Sequence, residues 1–184
     1  MTRPRLFLWA GAALLCLAPL GAQLCVAGFN WSGGDFVLFA ALVLGMSITI
    51  DRLAASAAPR PYKAGVLAMA AASVGTILVG GAVGLVGGEG EDANRVFTLF
   101  PVVALLMALM GRGRARWMAQ LCLGIAMGQI GWSAAILAFG LVPDAGRYWP
   151  DAVLCASLFG GLWLAAARLF RKAAAVTPES IRVA

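Results

Sequence analysis

Residues 34–57, GDFVLFAALVLGMSITIDRLAASA, decide the fold class of this chain. No charged residue lies between Asp35 and Asp51, and the stretch is close to the ~20 residues that cross a ~30 Å hydrocarbon core as an α-helix. Its apolar residues do not alternate with polar ones, so a membrane strand is a poor alternative. The stretch therefore predicts a transmembrane helix.

Apolar segments of similar length occupy most of the remaining chain. The six predicted segments are about 5–27, 34–57, 63–87, 94–111, 115–142 and 150–171. The fourth is the shortest and contains Pro101, which we expect to kink its helix. We predict an all-α membrane protein, a polytopic bundle of six transmembrane helices. It would form a single transmembrane domain over 1–184, with a short cytoplasmic tail over 173–184.

The composition supports bilayer insertion and offers little for catalysis. The 184 residues are 62% hydrophobic and 12% charged, whereas a soluble domain carries about 25% charged residues. The chain has no histidine and only four scattered cysteines, so neither a metal site nor a redox pair is signalled. Cys25 and Cys155 both fall near the predicted outer face, and whether they pair stays open. We predict no catalytic residue, no metal and no cofactor.

The basic residues predict an orientation. Every Lys and Arg except Arg95 and Arg147 falls on the side of the N-terminus when the six segments alternate across a membrane. Because basic residues concentrate in cytoplasmic loops, both termini are predicted to be cytoplasmic. The corresponding localisation is the bacterial cytoplasmic (inner) membrane, with multiple passes.

The basic run GRGRARW follows the fourth segment and forms the predicted cytoplasmic turn between it and the fifth. We expect Arg112, Arg114 and Arg116 to contact anionic lipid headgroups there. Nucleic-acid binding would require a folded domain around these charges, and the chain has no room for one. The lipid bilayer and its anionic lipids are therefore predicted partners, and nucleic acid is not.

Small residues recur at helical spacing on two segments. These candidate packing or partner-interface residues are Ser73, Thr76, Gly80, Gly84 and Gly87 on the third segment and Gly124, Gly128 and Gly131 on the fifth. Steps of three or four residues place each set on one helix face. Two GxxxG pairs occur among them, and the missing side chains would let helix backbones approach closely. Packing within the protein, docking to another membrane protein and self-association all fit this pattern.

Three short polar stretches form the predicted outer face: FNWSGGDF (29–36), GGEGEDANR (87–95) and GRYWPD (146–151). Ser32 and Asp35 have the spacing of a capping box that starts the second helix. The candidate outer-face contacts are Trp31, Asp35, Glu89, Glu91, Asp92, Tyr148 and Trp149. The acids of the second stretch lack the ligand spacing of a calcium loop.

The stretches NWSGGDFVLFAALVLG (30–45), AVGLVGGEGEDAN (82–94) and LWLAAARLFRKAA (162–174) resemble those of a group of small uncharacterised bacterial multi-pass inner-membrane proteins. That group carries an N-W-[S/T]-x-x-D-F motif at the start of its second helix and has no known activity. Related chains often have an acid where this one has Gly81. The resemblance implies the architecture and no enzyme activity, and it leaves open whether Gly81 replaces a functional acid.

These observations predict a non-catalytic integral membrane protein. Intramembrane ionisable residues usually mark functional sites, and none lies near the middle of a predicted span. The leading hypothesis is an accessory or structural subunit that docks to a larger membrane complex through a small-residue helix face. The alternative is a small transporter or channel-like protein for a neutral or lipidic solute, which would use in-membrane Gln and Ser residues. A sensor or assembly factor acting through its outer loops is a third hypothesis.

Overall fold

A computed structural model describes residues 3–27, 29–55, 58–82, 84–88 and 91–176. Across these ranges all regular secondary structure is helical, which confirms the all-α prediction. The helices are α1 (Arg3–Cys25), α2 (Gly33–Ala55), α3 (Arg60–Ala82), α4 (Asp92–Met110), α5 (Ala115–Phe139), α6 (Trp149–Cys155) and α7 (Gly161–Val176). A 3₁₀ turn (Ala145–Tyr148) precedes α6, and a π-helical segment (Ala156–Gly160) joins α6 to α7. Together, residues Ala145–Val176 form a sixth helical segment, which we call the rod.

The chain divides into two compact units, Met1–Ala57 and Ala58–Ala184. We call them the N-terminal unit and the C-terminal unit. The sequence-based expectation of a single transmembrane domain stays a prediction. The predicted tail begins inside α7, which ends at Val176, and residues 177–184 lie outside the described residues.

The N-terminal unit is a hairpin of α1 and α2. At one end the Arg5 guanidinium donates two hydrogen bonds of 2.6 Å to the Asp51 carboxylate. At the other end the Trp31 backbone N–H donates to Gln23 Oε1 at 3.0 Å. Bidentate guanidinium–carboxylate pairs fix relative orientation as well as distance, so both ends of the hairpin are tied by polar contacts.

The turn of this hairpin confirms the predicted capping box. The Asp35 carboxylate accepts hydrogen bonds from the backbone N–H and the hydroxyl of Ser32 at 2.8 and 2.7 Å, and Ser32 Oγ accepts from the Asp35 backbone N–H at 3.3 Å. These reciprocal bonds satisfy donors that a helix start would otherwise leave free. Trp31 is buried beside Phe29, Phe36 and Phe39, with all three ring centroids at 5.4 Å.

The C-terminal unit is a bundle in which α7 packs against both α3 and α5, and α4 packs against the same two helices. Close approach is possible because glycine faces a large side chain at several crossings. A Cβ built on Gly65 would lie 3.1 Å from the Phe170 ring, and one built on Gly75 would lie 2.8 Å from the Phe159 ring. Both distances are shorter than an ordinary carbon–carbon contact, so a side chain at either position would displace the ring packed against it.

Five of the six helical segments are long and apolar enough to cross a membrane: α1, α2, α3, α5 and the rod Ala145–Val176. The fourth, α4, is not among them, which departs from the six predicted spans. Its first turn contains Asp92 and Arg95, and the apolar part from Val96 to Met110 is shorter than the ~20 residues that a full crossing needs.

The third helix also differs from its sequence-predicted bounds. α3 ends at Ala82, and Gly84 and Gly87 lie in the following loop with φ of +80° and +77°. These positive φ values belong to the left-handed region that glycine adopts without steric cost. Gly84 and Gly87 therefore do not continue the helix face of Ser73, Thr76 and Gly80, as the three-or-four spacing had indicated.

Candidate functional site

A cavity of about 780 Å³ opens at one end of the C-terminal unit. The starts of α3 and α5 and the end of α7 meet there, and we call this the basic end. The cavity is lined by Tyr62, Arg114, Ala115, Arg116, Trp117, Gln120 and Ala174. Its wall combines guanidinium groups, amphipathic rings and one amide, which suits a ligand with a polar head and an apolar body.

Two hydrogen bonds hold the aromatic side chains of this cavity in place. Tyr62 Oη donates to the Gly113 carbonyl at 2.6 Å, and Trp117 Nε1 donates to the Met107 carbonyl at 2.8 Å. The Met107 carbonyl, in the last turn of α4, also accepts a hydrogen bond from the Gly111 backbone N–H at 2.9 Å, so it has two donors. Because Gly111 has no Cβ, the Trp117 ring lies directly against the backbone of the α4–α5 turn, where a side chain would overlap it.

A neighbouring cavity of about 480 Å³ shares Arg116, Gln120 and Ala174 with the first and adds Arg171 and Leu123. Since the two cavities share part of their wall, we treat them together as the cationic cavity. Within the described ranges, no acidic residue lines it. Among the residues that the structure describes, neither Arg114, Arg116 nor Arg171 forms an ion pair.

The start of α5 adds to the positive potential of this region. Arg114 is the N-cap residue, its side chain makes no capping hydrogen bond, and no acid occupies the first turn. The N-terminus of a helix carries a partial positive charge, so basic residues there are unfavourable unless an anion is near. Arg112 lies on the same turn and lines a further cavity of about 360 Å³ with Arg114 and Trp117. The three predicted lipid-contact arginines thus converge on one turn.

The predicted small-residue stripe of the third helix lies inside the protein. Ser73 and Thr76 are each 1% exposed, and the Ser73 hydroxyl donates to the Met69 carbonyl at 2.9 Å. A Cβ on Gly80 would lie 3.3 Å from a Leu85 methyl group. Together with Gly84 and Gly87 in the loop, these positions serve packing within the C-terminal unit. Their proposed role as a partner interface stays untested.

The three predicted glycine positions on α5 lie in two different environments. A Cβ on Gly128 would lie 2.9 Å from the Phe100 ring, whereas one on Gly124 or Gly131 would meet nothing within 4 Å. Gly124 and Gly131 are exposed, and their spacing of two helical turns places them on one face. Of the Gly124/Gly128 pair, Gly128 therefore packs against a side chain of the same unit, whereas Gly124 does not within the described ranges. We call Gly124 and Gly131 the open glycine face.

The opposite end of the C-terminal unit carries acids and is well packed; we call it the acidic end. Asn94, which the sequence reading missed, accepts hydrogen bonds from the Leu85 and Val86 N–H groups at 3.2 and 3.0 Å. Its amide donates to the Val86 and Gly88 carbonyls at 3.2 and 2.8 Å. An Asn just inside a predicted loop–helix boundary is the signal that could have revealed this role.

The outer-face candidates occupy several environments. Trp31 and Asp35 belong to the N-terminal unit, where Trp31 is buried and Asp35 caps α2. In the C-terminal unit, Asp92 pairs with Arg95 at 3.0 Å on an exposed surface, and Trp149 is 59% exposed.

The remaining outer-face candidates lie at or beside the acidic loop. A Cβ on Gly87 would lie 3.3 Å from the Glu91 side chain and 3.8 Å from the Tyr148 ring, so both line that loop. Glu89 lies outside the described residues. Their role as partner contacts stays a prediction.

Buried polar atoms cluster where α5 meets the π-helical segment. Gln129 is fully buried, its amide nitrogen lies 3.9 Å from Cys155 Sγ, and the Ser133 hydroxyl donates to the Gln129 carbonyl at 3.0 Å. Gln129 Oε1 has no hydrogen-bond partner in the part of the chain that the structure describes. A π-segment widens a helix by one residue, and no pattern in the sequence predicted it. Within the described ranges, no three His, Cys, Asp or Glu side chains group as metal ligands.

Many large apolar side chains point away from the protein, including Phe7, Leu14 and Val37 in the N-terminal unit and Leu106 and Leu154 in the C-terminal unit. A soluble protein rarely exposes so much contiguous apolar surface, and the helices that carry it include candidate spans. The chain is an integral membrane protein. It contacts the lipid bilayer over several passes.

No protein-family model, curated protein or solved structure matches this membrane protein. The sequence resemblance to small bacterial inner-membrane proteins therefore stays a prediction, and no family is identified. The candidate functional features of the protein are the cationic cavity, the open glycine face and the buried polar cluster.

Proposed function

We propose that this protein is a non-catalytic accessory subunit that docks to a larger membrane complex through the open glycine face of α5. The supporting observation is the contrast among glycines of the C-terminal unit. A Cβ on Gly65, Gly75 or Gly128 would lie within 3.1 Å of a neighbouring ring, whereas one on Gly124 or Gly131 would meet no described atom within 4 Å. Glycine within a helix costs about 0.8–1.0 kcal/mol relative to alanine, and internal packing does not account for that cost at these two positions.

In a bilayer, helices associate by close backbone approach at small residues, because lipid tails give little hydrophobic drive between helices. A partner helix crossing α5 at Gly124 and Gly131 would gain that approach. Gly11, Gly21 and Gly45 also have nothing within 4 Å of a built Cβ. Gly11 and Gly21 differ by ten positions and so fall on different faces of α1, and Gly45 is single on α2. On α5 the two open glycines share one face.

Transport of a neutral or lipidic solute is the alternative function. It has one supporting observation, since the Gln120 side chain lines the cationic cavity. The other polar residues that such a path would use, Ser73, Thr76 and Gln129, are at most 1% exposed within packed helices. We therefore favour docking over transport.

We further propose that the basic end faces the cytoplasm, with six crossings, both termini inside and a bacterial inner membrane as the location. The hydrogen bonds of two α5 tryptophans support a crossing by α4. Trp117 Nε1 bonds to Met107 O near the end of α4, and Trp132 Nε1 bonds to Ala93 O near its start. α4 therefore runs antiparallel to α5 along most of the length of a candidate span. Cysteine-accessibility labelling at Gly88 and Arg112 from each side of the membrane tests this orientation.

The docking proposal is tested with Gly124→Leu/Gly131→Leu, purified from its native membrane in mild detergent and analysed by native mass spectrometry. We expect the wild-type protein to co-purify with a membrane protein or a second copy, and the double variant to lose it. Gly45→Leu is the matched control, since it adds the same side chain to an open position on a different helix. A monodisperse wild-type monomer, or equal association of all three proteins, contradicts the proposal.

A further inference from the structure

We infer that the cationic cavity is a specific site for the phosphate group of an anionic phospholipid, with Arg114 and Arg116 on the phosphate and Leu123 beside an acyl chain. This inference is independent of docking through α5. It also goes beyond the general expectation that basic residues lie near headgroups, because it assigns the ligand to a cavity with defined walls.

The charge of the cavity selects an anion. Arg114, Arg116 and Arg171 line it. Among the residues that the structure describes, no acid lines it and no carboxylate pairs with any of the three. A guanidinium presents parallel N–H donors that match two phosphate oxygens, so paired arginines favour phosphate over a diffuse negative surface. The uncapped start of α5 contributes potential of the same sign.

The remaining walls suit an amphiphile more than a free ion. Tyr62 and Trp117 have the amphipathic rings that favour headgroup depth, and Gln120 offers amide donors beside the arginines. Beyond Arg116 the wall becomes apolar, with Ala119 and Leu123 on α5. A site whose cationic mouth continues into an apolar groove at the end of a membrane helix matches a phosphate that carries acyl chains.

The site is also formed before a ligand arrives. The bonds from Tyr62 to Gly113 and from Trp117 to Met107 fix both rings to the backbone through contacts within the protein. Ligand binding then orders the arginine and Gln120 side chains but not the two rings, and less ordering entropy is lost when surrounding groups are already held. The volumes of about 780 and 480 Å³ fall in the range that holds a small amphiphile.

The experiment compares lipid retention by the full chain and by Arg114→Gln/Arg116→Gln. Each protein is reconstituted in phosphatidylcholine nanodiscs doped with phosphatidylglycerol, released into detergent and analysed by native mass spectrometry. The matched control is Arg95→Gln/Arg147→Gln, which removes the same charge from the acidic end. We expect the test variant to bind phosphatidylglycerol about 30-fold more weakly, since each arginine near an anionic lipid contributes about fivefold. The control should stay within about twofold of the wild type.

Three results overturn the inference. The first is equal retention by test and control variants, and the second is retention of phosphatidylcholine as strong as that of phosphatidylglycerol. The third comes from adding inorganic phosphate to lipid-free protein: thermal stabilisation equal to that given by phosphatidylglycerol would assign the site to a soluble phosphate. Arg114→Lys/Arg116→Lys guards against misfolding of the test variant. It should fold and bind with intermediate affinity, because it keeps the charge and loses the bidentate geometry.

Discussion

The two ends of the C-terminal unit differ in how their polar groups are satisfied. At the acidic end, Asn94 makes four hydrogen bonds to the backbone of the 84–88 loop, and Val86 and Phe97 below it are completely buried. At the basic end, three arginines line an open cavity and form no ion pair with described residues. The polar groups at the acidic end are satisfied by hydrogen bonds within the protein. The arginines at the basic end form no ion pair with described residues.

This difference predicts which polar groups stabilise the fold and which are available for binding. Groups that bond within the protein stabilise the fold, and their loss leaves buried donors or acceptors unpaired. Groups that make no internal bond contribute little to stability and are free to bind something else. Substitutions at the acidic end should therefore affect unfolding, whereas substitutions of the arginines at the basic end should affect binding. Four predictions test this contrast, ordered from the largest effect on stability to the smallest.

Asn94→Ala should have the largest effect. It removes both hydrogen bonds donated to Asn94 and both that Asn94 donates, leaving backbone groups of Leu85 and Val86 unpaired in a buried loop. We expect a loss of about 3 kcal/mol in the free energy of unfolding, measured by thermal or denaturant unfolding in detergent. Asn30→Ala, at an exposed position, is the control and should change little. Equal stability of the two variants would contradict the assignment of Asn94 as the organising residue.

Gly84→Ala should come next. Gly84 has φ of +80°, and a Cβ there would lie 2.6 Å from the Gly88 carbonyl oxygen. A left-handed conformation with a backbone clash should cost about 2 kcal/mol. Gly88→Ala is a close control in the same loop, because a Cβ at Gly88 meets nothing within 4 Å. The same unfolding measurement should rank Gly84→Ala clearly below Gly88→Ala, and the reverse order would place the strain elsewhere.

Tyr62→Phe should have a smaller effect, at the basic end. It removes one hydrogen bond, from Tyr62 Oη to the Gly113 carbonyl, and keeps the ring against Phe170 at 5.2 Å. We expect a loss of about 1 kcal/mol in unfolding free energy. Tyr148→Phe is the control. A destabilisation as large as that of Asn94→Ala would show that the basic end is also closed by its own contacts.

Arg116→Gln should have the smallest effect on stability in lipid-free detergent. Arg116 is exposed and pairs with no described residue, so the free energy of unfolding should change by about 0.5 kcal/mol or less. Adding phosphatidylglycerol should stabilise the wild type more than the variant, because only the wild type keeps the full cationic wall. A large loss of stability without lipid would assign Arg116 a structural contact instead.

The repeated long apolar segments made the all-α membrane architecture predictable from the sequence. Residues 34–57 alone exclude a soluble strand or an exposed helix, because their length and lack of charge match a bilayer. The Ser32–Asp35 capping box was also readable, since its hydrogen bonds join residues three positions apart. Local features of this kind depend on spacing along the chain, and spacing is what a sequence states directly.

The structural roles of the glycines with GxxxG spacing were only partly predictable from the sequence. Gly80 and Gly84 have GxxxG spacing, yet the helix ends between them and Gly84 turns into the loop. Gly124 and Gly128 have the same spacing, yet only Gly128 meets a neighbouring ring. Spacing places residues on a face of an assumed helix, but the ring of Phe100 reaches Gly128 from a helix elsewhere in the chain.

By itself, the sequence determined that this protein inserts into a lipid bilayer and that it does so as helices. Its apolar content and the lengths of its apolar segments leave no other way to remove so much apolar surface from water. It also placed Arg112, Arg114 and Arg116 on a single turn. The tertiary structure decided what those arginines face. Tyr62 from α3 and Ala174 from α7 complete the cationic cavity around Arg114 and Arg116, and residues so distant in the chain meet only through the packing of the bundle.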